Sequence, residues 1–232
     1  MKNLFVIAIA VLMAASCGHG GTGARSTSDA PEILAEDVRA AFAHPADAMT
    51  TVRSPLALDN GTTVRTCADY LAGQRAGAAV AESTEARLAA SEYVVCDVLD
   101  ALRCATRGAP GVRGGVGRDL ATRMDLRQIR TSFGPRLDER THTLAALGDT
   151  LQTTETDVSL LKDDWTFVLR LVAVADVDAD GRSDWIVSLT DEARTASYRD
   201  YGLLVVFDPV RPGPLRVQMW PPQGPGRACR LE

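Results

Sequence analysis

Residues 176–184 form the part of the chain best suited to bind a metal ion. They read Asp-Val-Asp-Ala-Asp-Gly-Arg-Ser-Asp, so four carboxylates surround Gly181 at the sixth position, where a tight loop must turn. Calcium takes six to eight hard oxygen ligands at about 2.3–2.6 Å, and this spacing can bring several oxygens to one point. The sequence therefore predicts a calcium site. Its expected ligands are Asp176, Asp178, Asp180, the backbone carbonyl of Arg182, and Asp184.

The pattern resembles the calcium loop that EF-hands, dockerins, thrombospondin-type repeats and FG-GAP/VCBS repeats share. The EF-hand match is poor because the twelfth position is Val187, where that family has a bidentate glutamate, and the flanks look like strands. An FG-GAP or VCBS unit, with a strand on each side of the loop, is closer, and this resemblance implies that Asp184 closes the coordination. That family builds propellers from repeated units. This chain has a single unit, so no propeller is implied.

The same nine residues can also be interpreted as an acidic turn without a metal, because Asp-Gly is a common hairpin signal. Four neighbouring carboxylates repel one another without a cation, and salt screens that repulsion only in part. We therefore prefer the calcium interpretation. The expected role is to hold the hairpin together, with a dissociation constant on the order of 10⁻⁴–10⁻³ M because the bidentate glutamate is missing.

Other residues that could do chemistry carry weaker signals. His142 could act as a general base, although an exposed or capping histidine is the simpler interpretation. The adjacent acids Asp163-Asp164 and Asp191-Glu192 could serve a glycoside hydrolase, which uses two carboxylates. The glycine-rich, arginine-rich segment 107–118 could cradle a phosphate through its backbone amides, but it lacks the Gly-Lys-Ser/Thr ending of a P-loop. It could also dock on an anionic surface, and the simplest interpretation is a mobile surface loop.

The predicted fold class is α+β, with an N-terminal helical half packed on a small antiparallel β-meander. Residues 31–150 should be mainly helical, and their strongest helix covers 84–105 with Leu88, Val95, Leu99 and Leu102 along one face. Residues 151–232 should form the β part, which contains the predicted calcium loop. Four strands are expected there, at 165–175, 185–189, 203–207 and 215–220.

The first residues indicate export. Lys2 precedes an apolar run over 4–13, which is too short to cross a bilayer, and small residues then lead to Cys17. This ending resembles the lipobox of bacterial lipoproteins, which implies a signal peptide over 1–16 and lipidation of Cys17. Residues 17–30, rich in glycine and serine, would be a flexible tether. By resemblance to the lipoprotein sorting rule, Gly18 favours the outer membrane.

The remaining cysteines fit an oxidising compartment. Without the lipidated cysteine their number is even, which suggests two disulfides with three possible pairings. We prefer one bridge across a helical hairpin and a second that ties the C-terminus to the helical part. The preferred pairs are Cys67–Cys96 and Cys104–Cys229.

Composition narrows the classes of function. The chain has 232 residues, 46% of them hydrophobic, which is typical of a globular protein. Its net charge of −5 argues against nucleic-acid binding. The expected function is a cell-envelope lipoprotein that acts as a non-enzymatic binding module, with a membrane anchor and an envelope protein or peptidoglycan as partner. The alternative is a small carboxylate-dependent hydrolase of peptidoglycan or glycan.

Overall fold

In the described part of the chain, helices pack against an antiparallel sheet, which confirms the α+β class. No helix in this part is long and apolar enough to cross a membrane. The structure, a computed structural model, describes residues 30–103, 105–109, 114–134, 137–148, 150–162 and 164–222.

Short helices precede most of the strands along the chain. The helices are α1 (Glu36–Ala43), α2 (Pro45–Thr50), α3 (Cys67–Arg75), α4 (Thr84–Ala90), α5 (Val94–Leu102) and α6 (Val116–Arg123). The strands are β1 (Glu32–Ile33), β2 (Leu56–Ala57), β3 (Thr63–Val64), β4 (Thr150–Thr153), β5 (Asp157–Lys162), β6 (Trp165–Ala175), β7 (Asp184–Ala193), β8 (Arg199–Phe207) and β9 (Arg216–Trp220).

Among the described residues, the main sheet has seven strands. β4 to β9 lie side by side in chain order, each antiparallel to the next. β1 pairs antiparallel with the end of β6. It lies on the same side of β6 as β5, beyond the residues that β5 pairs with, because β7 occupies the other side. A small separate sheet joins β2 to β3.

Both faces of the main sheet are covered by apolar side chains. On one face, residues of α6 such as Leu120 pack against Phe167 and Leu189. On the other face, α1 and α5 contribute Val38 and Leu102. A register shift in β6 between Leu171 and Ala173 distributes neighbouring residues between these two cores. A third cluster joins α3, α4, α5 and the small sheet.

The disulfide Cys67–Cys96, one of the two preferred pairs, is confirmed. It joins α3 to α5 across the third cluster, with the two Cα atoms 5.2 Å apart. Cys104 and Cys229 lie outside the described residues, as do Cys17 and the signal-peptide and tether segments up to residue 29.

The structure corrects two expectations. The segment predicted as one helix over 84–105 is divided into α4 and α5 by a 3₁₀ turn at Ser91–Tyr93, and Leu88 of the predicted apolar face is 52% exposed. The sheet is larger than the four strands expected, because β1, β4 and β5 also join it. The sequence signal missed β1, which has two residues, and β4, which is polar and exposed along most of its length.

Candidate metal centre

The predicted calcium loop connects two long central strands. β6 ends at Ala175, β7 begins at Asp184, and these two residues are paired across the hairpin. Between them the backbone takes positive φ at Ala179 (60°) and Gly181 (83°). Glycine adopts this left-handed conformation without steric cost, which explains its place at the sharpest part of the turn. We call residues 176–184 the aspartate loop.

Backbone amides fix the first and last carboxylates of the aspartate loop. Asp176 accepts hydrogen bonds from the N–H groups of Asp180 (3.1 Å) and Gly181 (2.9 Å), one at each carboxylate oxygen. Asp184 accepts from the N–H groups of Val177 (2.9 Å) and Asp208 (3.1 Å) in the same way. Since a carboxylate oxygen has two acceptor sites, each of these oxygens keeps one site for a cation.

Three carboxylates converge at this loop. One oxygen each from Asp176, Asp178 and Asp184 lies within 4.8 Å of the other two. Two oxygens bound to the same calcium ion at about 2.3–2.6 Å are at most about 5 Å apart, so the observed spacing is compatible with a shared cation. Asp176 and Asp184 are buried and Asp178 is exposed. We call these three residues the carboxylate cluster; it could hold a metal ion.

The other two predicted ligands lie elsewhere. The carboxylate of Asp180 turns back to accept a hydrogen bond from the N–H of Arg182 at 2.8 Å, and Asp180 is not part of the cluster. The carbonyl group of Arg182 lies against Gly108 of the preceding segment. The structure thus brings together three of the five predicted positions.

The negative charge of the cluster is compensated only in part. Burial raises the pKa of Asp184 to about 6, the charges of Asp178 and Asp180 act in the same direction, and the two backbone N–H donors oppose them. Arg216 supplies one positive partner, because its Nη2 donates to Asp178 Oδ2 at 3.2 Å. A bound cation would offset the remaining repulsion.

Residues 106–109 hold the aspartate loop from one side, which the sequence did not indicate. Thr106 and Asp176 exchange two backbone hydrogen bonds, of 3.1 and 2.7 Å. Ala109 receives a hydrogen bond from the Ser183 hydroxyl at 2.5 Å and donates its N–H to Gly181 O at 3.0 Å. A Cβ atom on Gly108 would lie 2.4 Å from the carbonyl carbon and oxygen of Arg182, so only glycine fits there. This part of segment 107–118 is therefore packed against the loop, contrary to the expected mobile surface loop.

On the other side the aspartate loop contacts the start of the β8–β9 connection. Arg182 forms an ion pair of 2.5 Å with Asp208, whose N–H also binds Asp184. The sequence predicted only that a strand over 203–207 would end just before Asp208. Asp208 has a positive φ of 45°. Aspartate, asparagine and glycine tolerate this angle best, so the residue type was the one feature of the sequence consistent with an unusual backbone at this position.

Among the described acids considered for hydrolysis, Asp191 and Glu192 do not face one site. Asp191 is fully buried and accepts hydrogen bonds from Ser132 and from the Trp165 indole. Glu192, its neighbour in β7, points to the opposite face of the sheet and accepts from the Tyr201 hydroxyl. Asp164 accepts from Thr195 at 2.7 Å.

Asp163 and His142, the other residues considered for catalysis, gain no support from the structure. Asp163 lies outside the described residues. The Nδ1 atom of His142 lies 2.9 Å from the carbonyl oxygen of Glu139, a local contact within one turn.

Comparison with known proteins identifies no relative. No family model matches the chain, and no curated protein or solved structure matches it.

Proposed function

We propose that this chain is a cell-envelope lipoprotein that acts as a non-enzymatic binding module, with a β domain stabilised by calcium. Its anchor would be a lipid on Cys17 in the outer membrane, and its partner an envelope protein or peptidoglycan. One observation carries the calcium part of the proposal: three carboxylates converge at a loop that backbone hydrogen bonds already hold in place.

The ligand chemistry favours calcium over other common ions. All three carboxylates offer hard oxygens, whereas zinc sites in proteins are built mainly from cysteine and histidine. Magnesium demands near-ideal octahedral geometry and usually keeps several waters. A loop that offers three carboxylates from one short segment suits the larger and more tolerant calcium ion, which accepts flexible geometry and completes its shell with water.

The position of the cluster suggests what calcium would do. The aspartate loop is bonded to segment 106–109 and to Asp208, so an ion in the cluster would strengthen the place where three chain segments meet. A ligand that binds only the native state stabilises it by mass action. We therefore assign calcium a structural role that keeps the end of the sheet in one conformation.

Thermal unfolding of the whole chain, kept in detergent because of its apolar N-terminus, tests calcium binding. The melting temperature should rise with added calcium after the metal has been removed by dialysis. The rise should be at least halved in Asp178→Asn and kept in Asp37→Asn, which removes an exposed carboxylate from α1. Equal melting temperatures with and without calcium would refute the metal site.

The envelope address needs its own experiment. Expression in a bacterial host with a labelled fatty acid should mark the wild-type chain and leave Cys17→Ala unmarked, because only the cysteine can accept the lipid. Membrane fractionation of the same cells should show the wild type with the envelope. Label on both proteins, or on neither, would contradict the lipoprotein proposal without affecting the metal site.

A further inference from the structure

A second site lies beside the aspartate loop. A cavity of about 360 Å³ opens between this loop and the β8–β9 connection, and three of its lining residues are arginines. We call it the arginine pocket. Its lining residues are Asp180, Arg182, Phe207, Asp208, Arg211, Pro212, Pro214 and Arg216.

The wall of the arginine pocket is held in place by a residue of another element. Arg123 of α6 donates hydrogen bonds to three carbonyl oxygens of the β8–β9 connection: Pro209 O at 3.1 Å, Arg211 O at 2.5 Å and Gly213 O at 2.9 Å. Asp119 in turn pairs with Arg123 at 2.9 Å. Because the connection is already fixed, a ligand would lose little free energy in ordering it.

The three arginines differ in how far they are engaged. Arg182 pairs with Asp208, and Arg216 stacks over the Phe207 ring at 4.5 Å while it donates to Asp178. Arg211 is exposed, and its guanidinium has no carboxylate partner among the described residues. The pocket therefore offers one available guanidinium and a second that a single hydrogen bond of 3.2 Å holds to the carboxylate cluster.

We propose that the arginine pocket binds the phosphate group of a phosphomonoester, and that a cation in the carboxylate cluster strengthens this binding. The lining carries three guanidinium groups against two carboxylates, and Asp208 neutralises Arg182. The guanidinium groups of Arg211 and Arg216 remain for an oxyanion, which accepts hydrogen bonds from several directions. The cavity is larger than one phosphate group needs. Phe207, Pro212 and Pro214 supply apolar walls for the organic group attached to it.

The coupling follows from the shared use of Asp178. In this structure Asp178 is bonded to Arg216, whereas a cation in the cluster would need that carboxylate as a ligand. A cation bound to that carboxylate would repel the Arg216 guanidinium and weaken its hydrogen bond, while the contact with Phe207 keeps Arg216 beside the pocket. Arg216 would then be available to the pocket, and the cation would reduce the negative charge of the neighbouring cluster. By linkage, the anion would raise the affinity for the cation by the same factor. The coupling rests on the proposed calcium site, whereas the pocket itself does not.

Calorimetric titration of the whole chain in detergent with phenyl phosphate tests the pocket. It is run at constant ionic strength, first on metal-free protein and then in millimolar calcium, after a separate titration with calcium alone. Phenyl phosphate should bind in both conditions, with at least a severalfold higher affinity in calcium. Arg211→Gln should weaken it by about tenfold, the usual order for loss of a charge-assisted hydrogen bond. Arg65→Gln, which removes an exposed arginine far along the chain from the pocket, should leave it unchanged.

The outcomes separate the two proposals. Absence of phenyl phosphate binding in both conditions, or equal loss in Arg211→Gln and Arg65→Gln, overturns the pocket. Calcium binding with the same phenyl phosphate affinity in both conditions overturns the coupling alone. If calcium does not bind but Arg211→Gln still weakens phenyl phosphate, the proposed calcium site fails and the pocket stands. Circular dichroism of each variant verifies that it is folded.

Discussion

The sequence pattern predicts that Asp178 and Asp180 are both metal ligands, whereas the structure places only Asp178 of the two in the carboxylate cluster. Replacing each residue by asparagine tests that difference. Asp178 contributes an oxygen to the carboxylate cluster, whereas Asp180 uses its carboxylate to accept the Arg182 N–H. Asp178→Asn should therefore greatly weaken calcium binding. Asp180→Asn should weaken it only slightly, through the loss of a nearby charge that water and salt screen.

The size of the effect follows from mass action. With a dissociation constant of about 10⁻⁴–10⁻³ M, calcium at about 10 mM stabilises the native state by about 1.4–2.7 kcal/mol. For a chain of this length, that corresponds to a rise in melting temperature of about 3–10 °C. If loss of a carboxylate ligand weakens affinity by at least about tenfold, an order typical of perturbed metal sites, Asp178→Asn should roughly halve this rise or reduce it further.

The assay is a series of thermal unfolding curves over a range of calcium concentrations for the wild type and both variants. In metal-free buffer all three proteins should melt within a few degrees of one another, because the Asp178–Arg216 pair is exposed and such pairs contribute about 0–1 kcal/mol. In calcium the rise should be largely kept in Asp180→Asn. An equal loss of the rise in both variants would refute the assignment of the cluster, and a full rise in Asp178→Asn would refute it as well.

Three further perturbations test other parts of the structure. Burial raises the pKa of Asp97 to about 7, above about 3.9 in the unfolded chain, so its contribution to stability is present below about pH 4 and lost as the pH rises towards 7. Urea unfolding at pH 5 and pH 8 should therefore show a smaller change in the free energy of unfolding for Asp97→Asn than for the wild type. An equal change in both proteins would contradict this. Gly108→Ala should lower the free energy of unfolding by about 1–3 kcal/mol because its Cβ would overlap the Arg182 carbonyl, whereas Gly134→Ala, whose added Cβ would have no atom within 4 Å, should be nearly neutral in the same assay. Reduction of Cys67–Cys96 should lower stability by about 3–4 kcal/mol from its 29-residue separation; identical urea midpoints with and without reductant would argue against the bridge.

The sequence predicted those features that depend on local pattern. The alternating strand β6, the turn at Gly181 and the strand that follows were all expected, because period-two hydrophobicity and turn residues act over a few neighbours. The acidic pattern also indicated that carboxylates would converge within residues 176–184, which the structure shows for three of them. It could not distinguish Asp178 from Asp180, since the choice depends on backbone angles within the loop and on which N–H groups are available there.

The sequence pattern did not predict contacts between residues far apart in the chain. Segment 106–109 looked like the start of a glycine-rich surface loop, and only the fold places it against the aspartate loop. The hydrogen bond between Arg216 and Asp178 joins residues 38 positions apart, and nothing in the spacing of either residue indicates it. Leu88 fits a helical apolar face, yet the turn at Ser91–Tyr93 separates its helix from α5, and the side chain is exposed.

The two-residue strand β1 also determines where the chain enters the fold. Glu32 pairs with Val174 and Ile33 with Ala173, in antiparallel register. The described residues before Glu32, Ala30 and Pro31, therefore precede the strand on the side of Ala175 and the aspartate loop. Any attachment through the preceding segment would pull first on this short strand, at the end of the sheet that carries the carboxylate cluster. A tether attached there would join the fold at the end of the β6–β7 hairpin that carries the cluster, while the opposite end of the hairpin would carry no load.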